Sequence, residues 1–315
     1  MSYLLQENAW LPNQRLEAAE AMTMENVKDR VTKSLLKGTR LTTYVHGDMN
    51  AEQSLSIHKK LSSTLGKFII PKNHKENEAR GRLIPQGRHY VAMRCFNEQE
   101  VNNALVMHIQ TEVVSPKVSA YMLLIRRFMA EPMFSELRTQ RQLGYIVSLA
   151  EKGHGRSLGS IRGINFRVLS NRFDPLHLEH EVNEFLLRQS LVFCKLTQQE
   201  VSDRASAIVK SLIEPPKSYL EEAGQFRENI LNNIPFDWIQ QIIAQLESIN
   251  VEDFRQKAND WIFDEEKRKS VSFMLFGNQN QEDLNKFLSA NNKNVISNID
   301  ELTALRDSLQ KFNLD

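Results

Sequence analysis

The sequence predicts an α+β fold: a sheet, antiparallel or mixed, with helices packed on one face, forming one complete domain preceded by part of a homologous one. Three observations carry this. Short β-rich runs alternate with long amphipathic segments, and no strand leads into the glycine pattern of a phosphate loop. A helix, strand, glycine, helix order occurs twice, near the two ends of the chain. The 315 residues, 41% hydrophobic and 25% charged, have globular composition and lie between the lengths of one domain and two.

The repeated unit reads TMENVKDRVTKSLLKGTRLTTYVHGDMNAEQSLSIHKKL near the start and NVEDFRQKANDWIFDEEKRKSVSFMLFGNQNQEDLNKFL near the end. Each copy opens on a capping residue, Thr23 or Asn250, followed by Glu25 or Glu252 and apolar positions at helical spacing. Each then enters a β-rich run, LTTYVHG or SVSFMLFG, that stops at a glycine, and Asp48 to Asn50 or Asn278 to Asn280 caps the next helix. Gly47 and Gly277 are 277 minus 47, or 230, residues apart, so a unit of that length leaves room for one full copy and the tail of another. The expected division is a partial domain over 1–70, a charged, Pro-bounded linker over 71–87, and a complete domain over 88–315.

Within the complete domain, RHYVAMRCF and NNALVMHIQTEVV are strands, and an amphipathic helix runs from about 117 to 142. YIVSLA and SIRGINFRVLS are two further strands around a glycine-rich hairpin. Asp174-Pro175 opens the next helix, with Asp as cap and Pro at its first position. TQQE from Thr197 makes a capping box, further helices follow PPKS and PFDW, and SVSFMLFG returns to the sheet.

Charge and cysteine usage narrow the function. Forty basic against 39 acidic residues leave a net charge of +1, which gives no general field for nucleic acid or an anionic membrane. Cys95 and Cys194 are too few and too far apart for a disulfide framework. The first residues lack a basic start and an apolar run, and no stretch approaches the ~20 apolar residues of a membrane span, so cytoplasm is the expected compartment.

Most candidate chemistry has a plainer explanation. In DPLHLEHEVNEF, His177, His180, Glu181 and Glu184 share one helical face and could present nitrogen and oxygen to zinc. The spacing matches neither HExxH nor HxxEH, and Val182, Phe185 and Leu186 mark the buried side, so the His/Glu side is expected to face solvent. Cys194 in LVFCKL reads as a core residue rather than a nucleophile. The remaining pair is Arg138 and Tyr145 in FSELRTQRQLGYIV, with Gly144 expected as the left-handed helix stop between them. By pattern alone the pair has structural roles: Arg138 interacts with the helix dipole, and Tyr145 packs at a strand start.

The wider segment EPMFSELRTQRQLGYIV resembles the last domain of the insulin-degrading enzyme (insulysin) and pitrilysin family of inverted-zincin metalloendopeptidases. The family pattern E-P-x-F, L-R-T, Q-L-G-Y is matched at Glu131, Pro132, Phe134, Leu137, Arg138, Thr139, Gln142, Leu143, Gly144 and Tyr145. ENAWLPNQRLEAA and VHGDMN resemble the end of the family's third domain, and VISNIDELTALRDSLQKF its C-terminal tail. The resemblance implies a clamshell of four homologous α+β domains enclosing a chamber for unfolded peptide, of which this chain holds the end of the third and the whole fourth.

By the same resemblance, zinc belongs to an HxxEH motif in the first domain, which this chain lacks, so the complete enzyme carries it in an N-terminal half. Arg138 and Tyr145 then reach toward the scissile bond, holding substrate carbonyls and the developing oxyanion. The implied partners are peptide substrates and the N-terminal catalytic half or a homologous subunit. The chain by itself is expected to be inactive. The alternative is a non-catalytic peptide-binding or assembly subunit of the same fold. Three departures from the family bear on substrate preference: Arg141 where an acidic residue is usual, a long basic loop over 151–163, and Phe226-Arg227 in place of an aromatic pair.

Overall fold

The computed structural model describes residues 1–36, 38, 41–69, 80–155, 160–291 and 295–312. They form two compact units, one of Met1–Ala9, Ala79–Glu214 and Asn232–Asp315, the other of Trp10–Glu78 and Pro215–Leu231. Most of the expected linker, 71–79, lies outside the described residues.

The first unit is built on a six-stranded mixed sheet. Its strands are β1 (Gly87–Arg94), β2 (Asn103–Val113), β3 (Ile146–Glu151), β4 (Ile161–Ser170), β5 (Lys269–Phe276) and β6 (Val295–Ile296), in the order β3-β4-β2-β5-β1-β6. β2 pairs antiparallel with β4 and β5, and β3 antiparallel with β4, while β1 pairs parallel with β5 and β6. The α+β expectation holds, with the sheet mixed rather than purely antiparallel.

Alternation along β2 sends Leu105, Met107 and Ile109 into the core. There they join Tyr121, Met122, Ile125 and Met129 of α5 (Pro116–Met133) and Leu178, Val182 and Phe185 of α6 (Pro175–Phe193). Burying one such side chain stabilises by roughly 1.5–3 kcal/mol before entropy is counted. The caps read from sequence form: the Asp174 carboxylate accepts from the Leu176 and His177 amides, and Thr197 and Glu200 exchange bonds at the start of α7 (Gln198–Leu212). α9 (Trp238–Glu247) and α10 (Val251–Ala258) complete the helical layer, and α11 (Gln281–Ala290) packs beside β1.

The two ends of the chain meet in this unit. α1 (Ser2–Leu5) buries Leu4 and Leu5, and the Tyr3 hydroxyl lies 2.9 Å from Thr303 Oγ1 on α12 (Ile299–Ser308). Arg306 donates to the Glu7 carbonyl at 2.6 Å, and single antiparallel bridges join Gln6 to Gly81 and Arg82 to Lys311.

The second unit holds α2 (Pro12–Glu20), α3 (Met24–Leu36), α4 (Ala51–Leu65) and α8 (Tyr219–Leu231). Here the repeat is only partly realised. Asn50 caps α4 through the Gln53 amide, and Gly47 takes the left-handed φ of 138°. LTTYVHG, expected as a strand, is not one: no strand of the described residues lies in this unit to pair with it, and an unpaired edge does not form a ladder. Tyr44, His46, Tyr219 and Phe226 instead cluster their rings, and the Tyr219 hydroxyl donates to the His46 carbonyl.

Candidate functional site

The motif segment begins in α5. Ser115 accepts from the Val118 amide, and Pro116 takes the first helical position. Sixteen positions later Pro132 has no N–H for the preceding turn, and beyond it the helix widens into a π-helix, Phe134–Gln140. Its bonds reach five residues back, as from the Arg141 amide to the Glu136 carbonyl at 2.9 Å. The expected helix to 142 is therefore two helices of different pitch. Leu137 is the one residue of the π-segment that is buried, and it ties the turn to the core.

The stop is not made by Gly144, contrary to expectation. The left-handed residue is Gln142, with φ 51°, and the Leu143 amide closes back onto the Leu137 carbonyl at 3.0 Å. Gly144 is needed for a different reason. A Cβ there would lie 2.0 Å from the Leu169 carbonyl oxygen on β4, so only glycine lets the chain approach this closely. The Tyr145 amide then donates to that same carbonyl at 3.1 Å and leads into β3.

This route brings Arg138 and Tyr145 together. The Arg138 guanidinium carbon lies 5.8 Å from the Tyr145 ring centre and 4.9 Å from that of Phe134. Contacts of this kind contribute roughly 0.5–1 kcal/mol at an exposed site. Tyr145 is 81% exposed and Phe134 45%. The expected packing role for Tyr145 does not hold, because a core residue is not exposed to that degree. Arg138 makes no ion pair among the described residues. Phe134, quoted in the motif but given no role from sequence, is the second wall of the guanidinium; its spacing of four from Arg138 was the available signal.

Arg141, three residues on, is not a second free cation. Its Nη1 lies 2.6 Å from Glu181 Oε2 on α6 and its Nε 3.6 Å from Glu136 Oε1. Arg188 of α6 also donates to Glu136, and its Nη1 is 3.4 Å from Glu184. The expectation of a solvated His/Glu face on α6 is corrected here. Glu181 is buried against Arg141, and His177 stacks on Phe173 at 4.6 Å; of these residues only His180 is exposed. An arginine on the neighbouring turn draws the carboxylate inward, which helical periodicity cannot show. Cys194 is also corrected: it is exposed, past the last turn of α6, where the apolar run LVFC turns Phe193 inward instead.

No group of three or more His, Cys, Asp or Glu placed to hold a metal occurs among the described residues. His108 on β2 and His154 form a pair, ring centres 4.9 Å apart and both fully buried. Burial pushes His108 down to about 4 and His154 to about 3, so both stay neutral. With no third donor they do not fit the family's zinc. At the far end of β3, burial raises the Glu151 carboxyl, partly offset by Arg162 and Arg126.

The site can therefore donate but not activate. A guanidinium fork and a phenol, both facing solvent, supply N–H and O–H groups to carbonyls, carboxylates or an oxyanion.

The family described as PQQ synthase PqqF-like, C-terminal lobe domain 4, matches residues 124–227, which include the whole motif. The human insulin-degrading enzyme is 27% identical over 261 residues, covering 79% of this chain and 24% of the relative. The A-factor-processing enzyme of Saccharomyces cerevisiae is 25% identical over 227 residues, covering 71% and 21%. The crystal structure of pitrilysin superposes over 97% of the chain and 31% of its own length, with a TM-score of 0.74 at 18% identity. This chain is similar to a C-terminal portion of insulysin-like proteins. It spans only about a fifth to a quarter of the length of these two curated relatives. The likeness to pitrilysin bears on its fold alone.

Proposed function

We propose that this chain is the substrate-binding, C-terminal portion of an insulysin-like zinc metalloendopeptidase that degrades peptides in an enclosed chamber. The observation that supports it most directly is the convergence of the unpaired Arg138 guanidinium and the exposed Tyr145 phenol on the residues of the matched motif. Arg138 donates N–H bonds to a backbone carbonyl of an extended peptide. Tyr145 donates its O–H to a neighbouring carbonyl, and to the oxyanion that develops when that carbonyl is attacked. Neither group acts as base or nucleophile.

Zinc, which the family uses to activate water, is bound in this reading by the N-terminal half of the complete enzyme. A relative from Schizosaccharomyces pombe bears the name of a zinc protease. The residues described here do not fit the metal, so no step through it is derived. The domain division expected from sequence, an incomplete domain over 1–70 and a complete one from 88, is part of the proposal and describes ancestry rather than compactness. Cytoplasm remains the proposed compartment; among the described residues no helix is long and apolar enough to cross a membrane.

The test is direct. A fluorescent, unstructured peptide is titrated into the 315-residue chain, and into the Arg138→Ala and Tyr145→Phe variants. Each variant is expected to bind about tenfold more weakly with its melting temperature unchanged. Equal affinity in all three proteins refutes the peptide site. Adding an N-terminal half that carries HxxEH separates the protease portion, which then cleaves, from the binding subunit, which does not.

A further inference from the structure

The arginine that departs from the family pattern is built into the site from behind. We infer that Arg141, through Glu181 and Glu136, is a positioning residue that clamps the π-turn to α6 and so aims Arg138 at Tyr145. The functional consequence rests on the reading of Arg138 given above; the clamp itself does not.

The π-segment is weakly held by its own backbone. Its hydrogen bonds reach five residues back, and only Leu137 anchors it in the core. What fixes its rotation is charge. Glu136 faces α6 and meets both Arg188 and Arg141. Arg141 extends past it to Glu181, which is only 8% exposed. In a turn closed by bonds five residues apart, side chains two apart point to nearly opposite sides. Holding Glu136 inward on α6 therefore holds Arg138 outward, between the rings of Phe134 and Tyr145.

The same pairing keeps Arg138 available. Both Glu136 within the turn and Glu181 on α6 already have arginine partners. His177 and Glu184 complete the network, 3.8 Å from Glu181 and 3.4 Å from Arg188. An acidic residue in place of Arg141 would instead put a third carboxylate beside two others, and the buried Glu181 would lose its arginine and keep only His177, 3.8 Å away. The arginine here thus does not widen the basic surface offered to substrate. It supports the Arg138 guanidinium.

The experiment uses the 315-residue chain labelled at arginine. The Arg138 Nε–H resonance, shifted by the two rings, reports its position, and peptide affinity reports function. In Arg141→Ala and in Glu181→Gln the ring-induced shift is expected to collapse and affinity to fall about tenfold. Slow exchange of the Leu137 and Leu143 amides should persist, which separates repositioning from unfolding. Arg141→Lys, which keeps the charge on Glu181, is expected to retain most of both signals. An unchanged Arg138 resonance in Arg141→Ala overturns the clamp, as does a Lys variant no better than Ala. If the resonance moves but Arg138→Ala itself binds peptide normally, the clamp stands and the peptide reading falls.

Discussion

Lowering the pH from 7 to 5 is expected to destabilise the first unit through the buried histidine pair. His108 and His154 are fully buried with rings edge to face, and only His108 Nδ1 has a partner, Asn165 Oδ1 at 2.7 Å. Burial lowers both pKa values, to about 4 for His108 and about 3 for His154, from 6.5 in the unfolded chain. Lys152 and the amino terminus add to the lowering of both, and His108 adds to that of His154. Below pH 6.5 the unfolded chain therefore binds more protons than the folded one, so stability falls as pH falls. The loss begins near 6.5 and levels off only below the folded values. At ~1.4 kcal/mol per pKa unit, each histidine removes roughly 2 kcal/mol between pH 7 and 5, about 4 together. Urea unfolding followed by tryptophan fluorescence at the two pH values measures this, because Trp238 and Trp261 are buried in the first unit. A His108→Leu/His154→Phe variant should lose about 4 kcal/mol less across the interval than the parent. An identical loss in both proteins refutes the reasoning. If the double variant fails to fold, the ring C–H resonances of the parent decide: titration of either histidine above pH 6 refutes it equally.

Gly144→Ala should cost at least ~2–3 kcal/mol or displace β3 from β4, because its Cβ would stand 2.0 Å from the Leu169 carbonyl; a melting temperature within a degree of the parent contradicts that. Tyr121→Phe removes a 2.6 Å bond to Asp253 Oδ2 and should cost ~1 kcal/mol in urea unfolding, with the Asp253 carboxyl moving up toward its ordinary pKa in a titration followed by carbon resonances. The isolated chain should cleave no peptide in a manner sensitive to chelators; zinc-restored turnover by pure protein would contradict the assignment of the metal to another part of the enzyme.

Local interactions were readable along the chain because they depend on near neighbours. The caps at Asn50, Asp174 and Thr197, the β-rich runs of the first unit, and the ten matched motif residues follow from spacing of a few residues, where backbone geometry alone decides who meets whom. The failures share a cause. LTTYVHG has strand composition, but a strand exists only with a partner, and partners are set by tertiary structure. Glycine in QLGY suggested a left-handed stop, yet Gln142 takes that conformation and Gly144 answers to a carbonyl on β4, about 25 positions away. Helical periodicity placed Glu181 toward water, because it cannot count the arginine that arrives from the neighbouring turn. The sequence by itself determined the α+β class and the family resemblance, and it singled out Arg138 and Tyr145 as the candidate pair. Only the tertiary structure decided that the two side chains meet across the break at Gln142 and that Arg141 is spent inward on α6, since these contacts depend on how one segment turns against another, which no local pattern encodes.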